Sequence, residues 1–435
     1  MKAYIGISFI LLVVLHVSCE RLTQPRVENQ AEVHLTEVAT LVQDAYLRLQ
    51  VNGAPAGSVL RVYRNEAVWI EHPYTEKDSL LHDSGLPPGS QLTYRAEIVQ
   101  SGVVIGRSAP LSVQLLDTTS HQVQWEVYEF QSRGGSGYFL DGAIVSEDDI
   151  WVVGKLHGYA SLTNAVHWDG VKWKELKITV EYKGSQTLAP LRGIWCCMNG
   201  KVVLSSGLPY LPYEDGWKLY HLWDMGVLDD NDGSVYKVYG KDSRNLYFYG
   251  KNGTIVNYKD NTWTKIPKNT NLLIQDMCGN EEELLAIASD FYHRPGSELI
   301  RIDGDAARII ADSTELQRGL AGVWFSAGRE YWLVGDGVFR ARLQPHNWEH
   351  IQSFPAYFAH GIDGTDVNDI WVVGAFGLVS HFNGKSWHHY MGRELPKFTG
   401  NFENVVVTKH VIVAVGERID SNNLNSKGII LVGRR

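Results

Sequence analysis

The sequence predicts an all-β protein, and three observations lead to that class. Its 435 residues include 42 glycines and 14 tryptophans, a combination that suits many tight turns between aromatic-rich strands. Hydrophobic residues make up 44% of the chain, and in its N-terminal part they alternate with polar ones, as in half-buried strands. One short unit also recurs, because the hexapeptide DIWVVG stands at residues 149–154 and again at 369–374.

The first thirty residues carry the features of an export signal. Lys2 precedes an apolar stretch, AYIGISFILLVVLHV, that is too short to span a bilayer comfortably. The stretch ends in LHVSC and resembles a bacterial lipoprotein signal, although His16 stands where that family usually has leucine. The resemblance implies a signal peptide over residues 1–18, a lipidated Cys19, and a tether over 19–30. The alternative is a plain secretory signal with an incidental cysteine.

A small β domain is predicted over residues 31–118. Stretches such as AYLRLQV and QLTYRAEIV alternate with period two, and Gly and Pro punctuate them. In DSGLPPGSQLTYRAEIV, the positions of Leu86, Pro88 and Tyr94 resemble the corner of a fibronectin type III domain, where a tyrosine hydroxyl bonds back to the backbone. The resemblance implies a small two-sheet sandwich that acts as a spacer or docking module.

The rest of the chain, residues 121–435, contains a four-strand repeat. An aromatic residue in the second strand is followed sixteen residues later by the tryptophan of the fourth, as from Trp332 to Trp348 and from Trp371 to Trp387. Four short strands per roughly 40 residues indicate the blades of a β-propeller. Inner strands are predicted to begin near residues 138, 191, 235, 273, 319, 358 and 402.

These starts give a seven-bladed β-propeller, with six or eight blades as alternatives because the second copy is irregular. The last copy lacks a fourth strand, and residues 123–130 match the missing pattern, so we predict that this segment closes the ring. The turn before the fourth strand resembles the Asp-box hairpin of sialidase-type and sortilin-type propellers, without their full motif. The whole repeat resembles Trp- and Gly-rich propellers of exported, Bacteroidetes-type lipoproteins, which implies a binding scaffold and names no ligand.

Charge and motifs argue against several kinds of chemistry. A net charge of -9 without a basic stripe argues against a nucleic-acid partner. Sialidase-type catalysis needs three arginines on separate inner strands, and only Arg192 and Arg318 stand near strand starts. The acidic segment DDNDGS, at 229–234, has Leu228 where an EF-type calcium loop needs its first oxygen ligand. We therefore predict no cofactor and no metal site, with an irregular calcium site as the alternative.

Candidate ligand contacts come from loop lengths. Four blades have a connection between second and third strands that is longer than the minimal one, and all such connections emerge on one face of a propeller. Tyrosine, arginine and histidine in these loops can bury area and still satisfy a polar tip. The predicted contacts are His157, Tyr159, Tyr210, Tyr213, Tyr292, Arg294 and Arg418.

The sequence thus predicts an exported, non-enzymatic lipoprotein of the bacterial cell envelope, expected in the outer membrane and anchored through the lipid on Cys19. Its propeller loop face would act as a recognition scaffold for a protein or a glycan. The alternatives are an exported glycoside hydrolase, either sialidase-like or with two carboxylates, and a purely structural envelope component.

Overall fold

The computed structural model of the chain describes residues 31–131, 135–158, 162–196, 201–242, 244–290, 296–390, 392, 394–396, 399–419 and 425–435. These residues are mostly strand and turn, which confirms the all-β class. They form two compact units. One comprises Arg48–Ser79 and Thr93–Leu111 with the described residues up to Thr36, and the other comprises Glu37–Leu47, Leu80–Leu92 and Ser112–Arg435. The predicted signal peptide, Cys19 and tether lie outside the described residues.

From residue 31 onward, where the structure is described, eight strands precede the repeats and form two sheets. They are β1 (Glu32–Thr40), β2 (Asp44–Asn52), β3 (Val59–Arg64), β4 (Ala67–Pro73), β5 (Asp78–Ser84), β6 (Gln91–Gln100), β7 (Val103–Arg107) and β8 (Leu111–Gln114). The sheet orders are β1-β2-β5 and β4-β3-β6-β7, and β8 also pairs with β6. Tyr94 and Leu86 are both buried. The likeness to a fibronectin type III domain stays a prediction.

The described residues of the repeats contain thirty strands, numbered in chain order. The first are β9 (Gln124–Phe130), β10 (Ser136–Ser146), β11 (Asp149–His157), β12 (Leu162–Trp168), β13 (Trp173–Leu176), β14 (Val180–Tyr182), β15 (Ser185–Thr187), β16 (Gly193–Cys196), β17 (Val202–Ser205), β18 (Pro209–Tyr213), β19 (Gly216–Leu219), β20 (Val235–Asp242), β21 (Asn245–Gly250), β22 (Ile255–Lys259) and β23 (Thr262–Ile266). The others are β24 (Leu273–Gly279), β25 (Leu284–Ser289), β26 (Ser297–Asp303), β27 (Ala306–Ala311), β28 (Leu320–Ser326), β29 (Glu330–Gly335), β30 (Gly337–Arg342), β31 (Glu349–His350), β32 (Ala359–Asp366), β33 (Asp369–Gly374), β34 (Leu378–Phe382), β35 (Trp387–His389), β36 (Thr399–Val407), β37 (Val411–Ile419) and β38 (Ser426–Arg434).

In the part of the chain that the structure describes, these strands build seven four-stranded sheets, blades 1 to 7 of a β-propeller. Blades 1 to 6 are β10–β13, β16–β19, β20–β23, β24–β27, β28–β31 and β32–β35, and blade 7 is β36-β37-β38-β9. The strand that completes blade 7 comes from the other end of the repeats, and Leu431 of β38 pairs with Val127 of β9. The strands β14 and β15 form a hairpin between blades 1 and 2. Among the described residues, no helix is long and apolar enough to cross a bilayer.

The hydrophobic core lies between neighbouring blades. Val152 of blade 1 belongs to one buried cluster with Val413 and Ile430 of blade 7, and Leu285 of blade 4 belongs to another with Leu333 of blade 5. Each blade therefore buries its two faces against its neighbours, which is why the strands carry long apolar runs instead of strict alternation.

A glycine near the end of the second strand lets that strand approach the inner one. An added Cβ would lie 2.0–2.3 Å from a carbonyl oxygen of the inner strand, or of the residue just before that strand, in five blades. These glycines are Gly154, Gly250, Gly335, Gly374 and Gly416. Beside each of them, the register between first and second strands shifts by a β-bulge. The glycine of the repeated WVVG motif is thus required by sterics, and the bulge sets which inner-strand residues line the channel.

The aspartate and tryptophan of the repeated motif form an internal polar link. The Asp369 carboxylate accepts a hydrogen bond from Trp371 Nε1 at 2.9 Å, contacts His381 Nε2 at 3.0 Å, and binds the Arg435 guanidinium through both oxygens. In blade 1, Asp149 makes the matching bonds to its own tryptophan and to a third-strand histidine. The aromatic residues of the repeat therefore belong to the scaffold.

Candidate recognition site at the channel mouth

The central channel is surrounded by the seven inner strands, which begin at the face that carries the second-to-third connections. A cavity of about 710 Å³, the mouth, is lined there by the first residues of the inner strands and the last residues of some second strands. Every blade contributes, in order through Leu140, Arg192, Tyr236, Ile274, Ala321, His360 and Asn401. The volume lies within the roughly 300–1,000 Å³ range of ligand pockets.

One side of the mouth, at blades 2 and 3, is cationic and aromatic. The Arg192 guanidinium lies 4.6 Å from the centre of the Tyr236 ring, and the Lys251 ammonium lies 5.6 Å from the same ring. Cations at these distances are attracted by the electron-rich ring face. The ring thus holds two positive charges at this edge of the cavity.

The opposite side, at blades 6 and 7, is acidic. His360 Nδ1 lies 3.4 Å from Glu403 Oε2. Burial raises the pKa of Glu417, and the negative charge of Glu403 raises it further. The two carboxylates therefore favour a cation between or beside them, because a positive ligand would relieve their repulsion.

Two exposed aromatic side chains border this acidic side. Tyr357 is 39% exposed and Phe376 is 61% exposed, and their ring centres are 5.6 Å apart. Tyr357 immediately precedes the mouth residue Phe358, and Ala375 forms a β-bridge with the mouth residue Asn401. The mouth is thus continuous with an apolar patch on the same face.

Further along the inner strands, three carboxylates connect neighbouring blades. Asp141, Asp276 and Asp363 each accept a backbone N–H of the following blade's inner strand, at 3.1, 3.1 and 2.7 Å. The donors are Ile194, Val323 and Val407. Asn404 of blade 7 donates its side-chain amide to Asp141 of blade 1. These contacts link adjacent blades at the channel wall.

Enclosure in the channel shifts the pKa of these acids upward. Burial raises the pKa of Asp276 to about 6 and that of Asp363 to about 7, and it also raises the pKa of Asp141. Asp276 and Asp363 keep partial exposure to the channel, but the surrounding blades remove the bulk water that would stabilise a charged carboxylate. Each of the three carboxylates accepts a backbone N–H of the neighbouring blade, so each has a structural contact within the ring. Of the two arginines that stand near inner-strand starts, Arg192 lines the mouth, whereas Arg318 pairs with Asp336 at 3.0 Å.

The structure corrects the expected position of two of the predicted contact residues, Tyr210 and Tyr213. The segment containing Tyr210 and Tyr213 was expected to form a long second-to-third connection, and that expectation is wrong. The connection in blade 2 is only residues 206–208, and both tyrosines lie on β18, the third strand. Tyr210 is buried in the cluster between blades 1 and 2, and Tyr213 stands at the strand end on the opposite rim. Neither borders the mouth.

The other predicted contact residues that the structure describes, His157 and Arg418, lie apart from each other. His157 is exposed at the end of β11, and it does not line the mouth. Arg418 is paired with Glu129 of β9 and borders a separate cavity of about 260 Å³. Its neighbour Glu417 is the one that lines the mouth, because adjacent strand residues point to opposite faces. Tyr159, Tyr292 and Arg294 lie outside the described residues.

The acidic loop considered for calcium is neutralised by lysines. Lys265 Nζ lies 2.8 Å from Asp229 Oδ2 and 2.9 Å from Asp232 Oδ2, and Lys268 donates to the Asn231 carbonyl at 2.6 Å. A calcium ion there would have to displace these ammonium groups. Within the described ranges, no group of three or more His, Cys, Asp or Glu side chains is arranged to hold a metal ion.

Sequence reasoning missed the residues that form the mouth, because it searched long loops and not strand starts. Arg192, Tyr236, His360 and Glu403 all lie within a few residues of the inner-strand starts that the repeat spacing locates. Those starts were the available signal, since inner-strand residues line the channel in any propeller.

Comparisons with known proteins support the propeller. No family model and no curated protein matches the chain. A solved structure of YCF48 bound to D1 peptide is similar with a TM-score of 0.53 at 15% identity, covering 73% of this chain and 97% of that one. The WD40 β-propeller domain of Doa1 is similar with a TM-score of 0.50 at 11% identity, covering 72% and 98%. At such identities the likeness shows the fold alone, and it confirms the predicted β-propeller.

Proposed function

We propose that this protein is a recognition scaffold that binds a segment of another protein at the mouth of its propeller. The observation that carries the proposal is the mouth: a cavity of about 710 Å³ with charged groups of both signs and exposed aromatics at its border. Concave sites with apolar walls and a few convergent polar groups are typical ligand sites. The peptide bound to the similar YCF48 propeller supports a partner of the same class.

The proposal can be tested by selecting peptides from a displayed random library against residues 19–435 carrying Cys19→Ser. Ala321→Trp fills the mouth and should abolish binding of the selected peptides. Tyr213→Ala changes a residue that is 54% exposed on the opposite rim and should leave binding intact. Peptides that bind all three proteins equally would place recognition elsewhere. Binding on a glycan array without any peptide binding would make the ligand a glycan.

The proposed role is non-enzymatic. Its support is that the three channel aspartates accept backbone N–H groups of the next blade. The rival roles are a glycoside hydrolase, sialidase-like or with two carboxylates, and a purely structural envelope component. Turnover of a panel of chromogenic glycosides by the purified protein would place the hydrolase first.

The proposal also includes export and a lipid anchor at Cys19 in a bacterial envelope, with residues 31–118 as a fibronectin type III-like module. Its support is the sequence of the first thirty residues and the corner motif around Tyr94. Mass spectrometry of the protein extracted from membranes should find a diacylglyceryl-modified Cys19 at the N-terminus. An unmodified cysteine, or an intact Met1, would contradict the anchor.

A further inference from the structure

Phe376 occupies a backbone conformation that disfavours a bulky side chain. It has a φ of +57° and is followed by Gly377 with a φ of +75°, and these two are the central residues of the turn that Leu378 N–H closes on the Ala375 carbonyl between β33 and β34. Two consecutive positive φ values are the requirement of a type I′ hairpin turn, for which Asn-Gly is the preferred pair. Blade 3 has that pair in the same turn, with Asn252 at +53° and Gly253 at +64°. Blade 6 therefore carries phenylalanine where the fold itself favours asparagine.

Burial does not compensate for this conformation. The Phe376 side chain is 61% exposed, and the aromatic ring that it contacts, Tyr357, is itself 39% exposed. An exposed aromatic gains little from the hydrophobic effect, and a bulky residue with positive φ is strained. Strain that has no folding benefit points to a function.

The surroundings of the pair indicate the chemistry of its ligand. Ala375, next to Phe376, bridges to Asn401 of β36, and Glu403 follows on the same strand. Glu417 on β37 is the register partner of Asn401 and lines the same mouth, so it adds a second carboxylate to this acidic side. A basic group fits this wall, and the net charge of -9 favours the approach of a basic partner.

The far side of the mouth limits how such a partner can lie. Arg192 and Lys251 hold positive charge around Tyr236, so a cationic side chain would be repelled there. The mouth therefore distinguishes its two sides by charge, and the basic group of a ligand is directed to blades 6 and 7.

We propose that Tyr357 and Phe376 anchor an apolar side chain of a basic peptide segment, whose cationic side chain is bound by Glu403 and Glu417. This inference rests on the proposed function and names its ligand class. Aromatic anchors at the edge of a polar site are the residues that dominate interface energetics.

The test uses residues 19–435 carrying Cys19→Ser and fluorescently labelled peptides of equal length on a Gly-Ser background. One contains Leu and Arg, one Leu and Glu, one only Arg, and one only Leu. The Leu/Arg peptide should bind tightest by fluorescence anisotropy. Phe376→Asn should weaken it by about thirtyfold, the scale of a lost hot spot. The thermal midpoint should stay equal or rise, because asparagine suits the turn. Glu417→Gln should weaken the Leu/Arg peptide and not the Leu-only peptide.

The matched control is Asn252→Phe, which places phenylalanine in the equivalent turn of blade 3. It should lower the thermal midpoint and leave peptide binding unchanged. The inference is overturned if Phe376→Asn binds the Leu/Arg peptide like the parent, if that variant loses thermal stability, or if the Leu/Glu peptide binds as tightly. Absence of binding by all four peptides also overturns it. If library peptides then bind and are lost in Ala321→Trp alone, the proposed function stands while this ligand class fails.

Discussion

Trp371 and Trp151 occupy the same position in the two DIWVVG copies. Comparing their alanine variants tests whether the burial of the tryptophan, and not the sequence motif around it, determines how much it stabilises the fold. Both indoles donate to the aspartate two residues earlier, at 2.9 and 2.8 Å, and both stack on a third-strand histidine, at 4.3 and 4.2 Å. They differ in that Trp371 is fully buried, whereas Trp151 is partly exposed. The DIWVVG sequence and the bonds among aspartate, indole and histidine are matched, whereas Arg435 also lies over the Trp371 ring at 5.3 Å, so a difference between the alanine variants reports on the packing around the indole, Arg435 included.

Trp371→Ala should cost about 3–5 kcal/mol of unfolding free energy, the range for large-to-small changes that leave a cavity. The indole packs against Tyr390, just after β35, and Trp125 of β9, with ring centres at 5.5 and 5.8 Å, so its removal leaves a space between elements far apart in the sequence. Asp369 keeps its bonds to Arg435 and His381, so no unpaired buried charge is added. Trp151→Ala should cost about 1–2 kcal/mol, the range of ordinary point substitutions.

Urea-induced unfolding, followed by far-UV circular dichroism, measures both values. Trp371→Phe is the control that keeps an aromatic ring but removes the indole N–H bond and part of the buried ring volume, and its loss of unfolding free energy should lie between those of the parent and the alanine variant. Equal losses for the two alanine variants, or a loss for Trp371→Ala of under about 1 kcal/mol, would refute the assignment of the cost to burial.

Three further predictions concern the strand glycine, the channel acids and the Asp369 cluster. Gly374→Ala should lower the free energy of unfolding by about 1–3 kcal/mol, the cost of overpacking, because the added Cβ would lie 2.2 Å from the Phe358 carbonyl oxygen. The control is Gly216→Ala, which has open space around its Cβ and should leave stability unchanged in the same thermal scan. The pKa of Asp363 is about 7 in the folded protein, against an ordinary 3.8. The folded state therefore holds this proton more tightly than the unfolded state does, and the resulting stabilisation is present at acidic pH and is lost as the pH rises from about 3.8 to about 7. Asp363→Asn should therefore show a smaller decline in urea midpoint across that window than the parent, and an unchanged decline would contradict the raised pKa. Arg435→Ala should cost about 1.5–3 kcal/mol, the scale of a hydrogen bond to a charged group, because Asp369 loses its bidentate partner, and calorimetry that finds no loss would show that the guanidinium is dispensable.

The propeller was predictable because the residues that mark its repeat are fixed by the packing between and within blades. The second-strand aromatic and the glycine of WVVG stand at fixed spacing, since one fills the space between blades and the other admits the neighbouring carbonyl. The outer-strand pattern around Trp125 pointed to the strand that pairs with β38. Spacing of this kind survives even where the residues between the fixed positions differ from blade to blade.

The recognition site was less predictable for physical reasons. Pro209 and Pro212 read as loop residues, yet proline is tolerated at the first residue of a strand and where no ladder bond is needed, so β18 forms through them. Channel-lining residues were hidden by the bulges, because one inserted residue reverses which side chains of an inner strand face inward. Phe376 could not be identified from the sequence, because Phe-Gly is not one of the residue pairs that indicate a type I′ turn.

The pairing of β38 with β9 has a consequence for the order in which the protein can be made. Glu129 and Lys427, which meet across this pair, are 298 positions apart in the sequence. At roughly 5–20 residues per second, β9 waits roughly 15–60 s after its own synthesis before its partner exists. During that time its edge is open to the wrong strand, including the same strand of another copy. Once the ring has closed, a protease that removes the last nine-residue strand, Ser426–Arg434, does not merely trim a tail. Loss of β38 would leave β9 without its partner and would open the ring at blade 7.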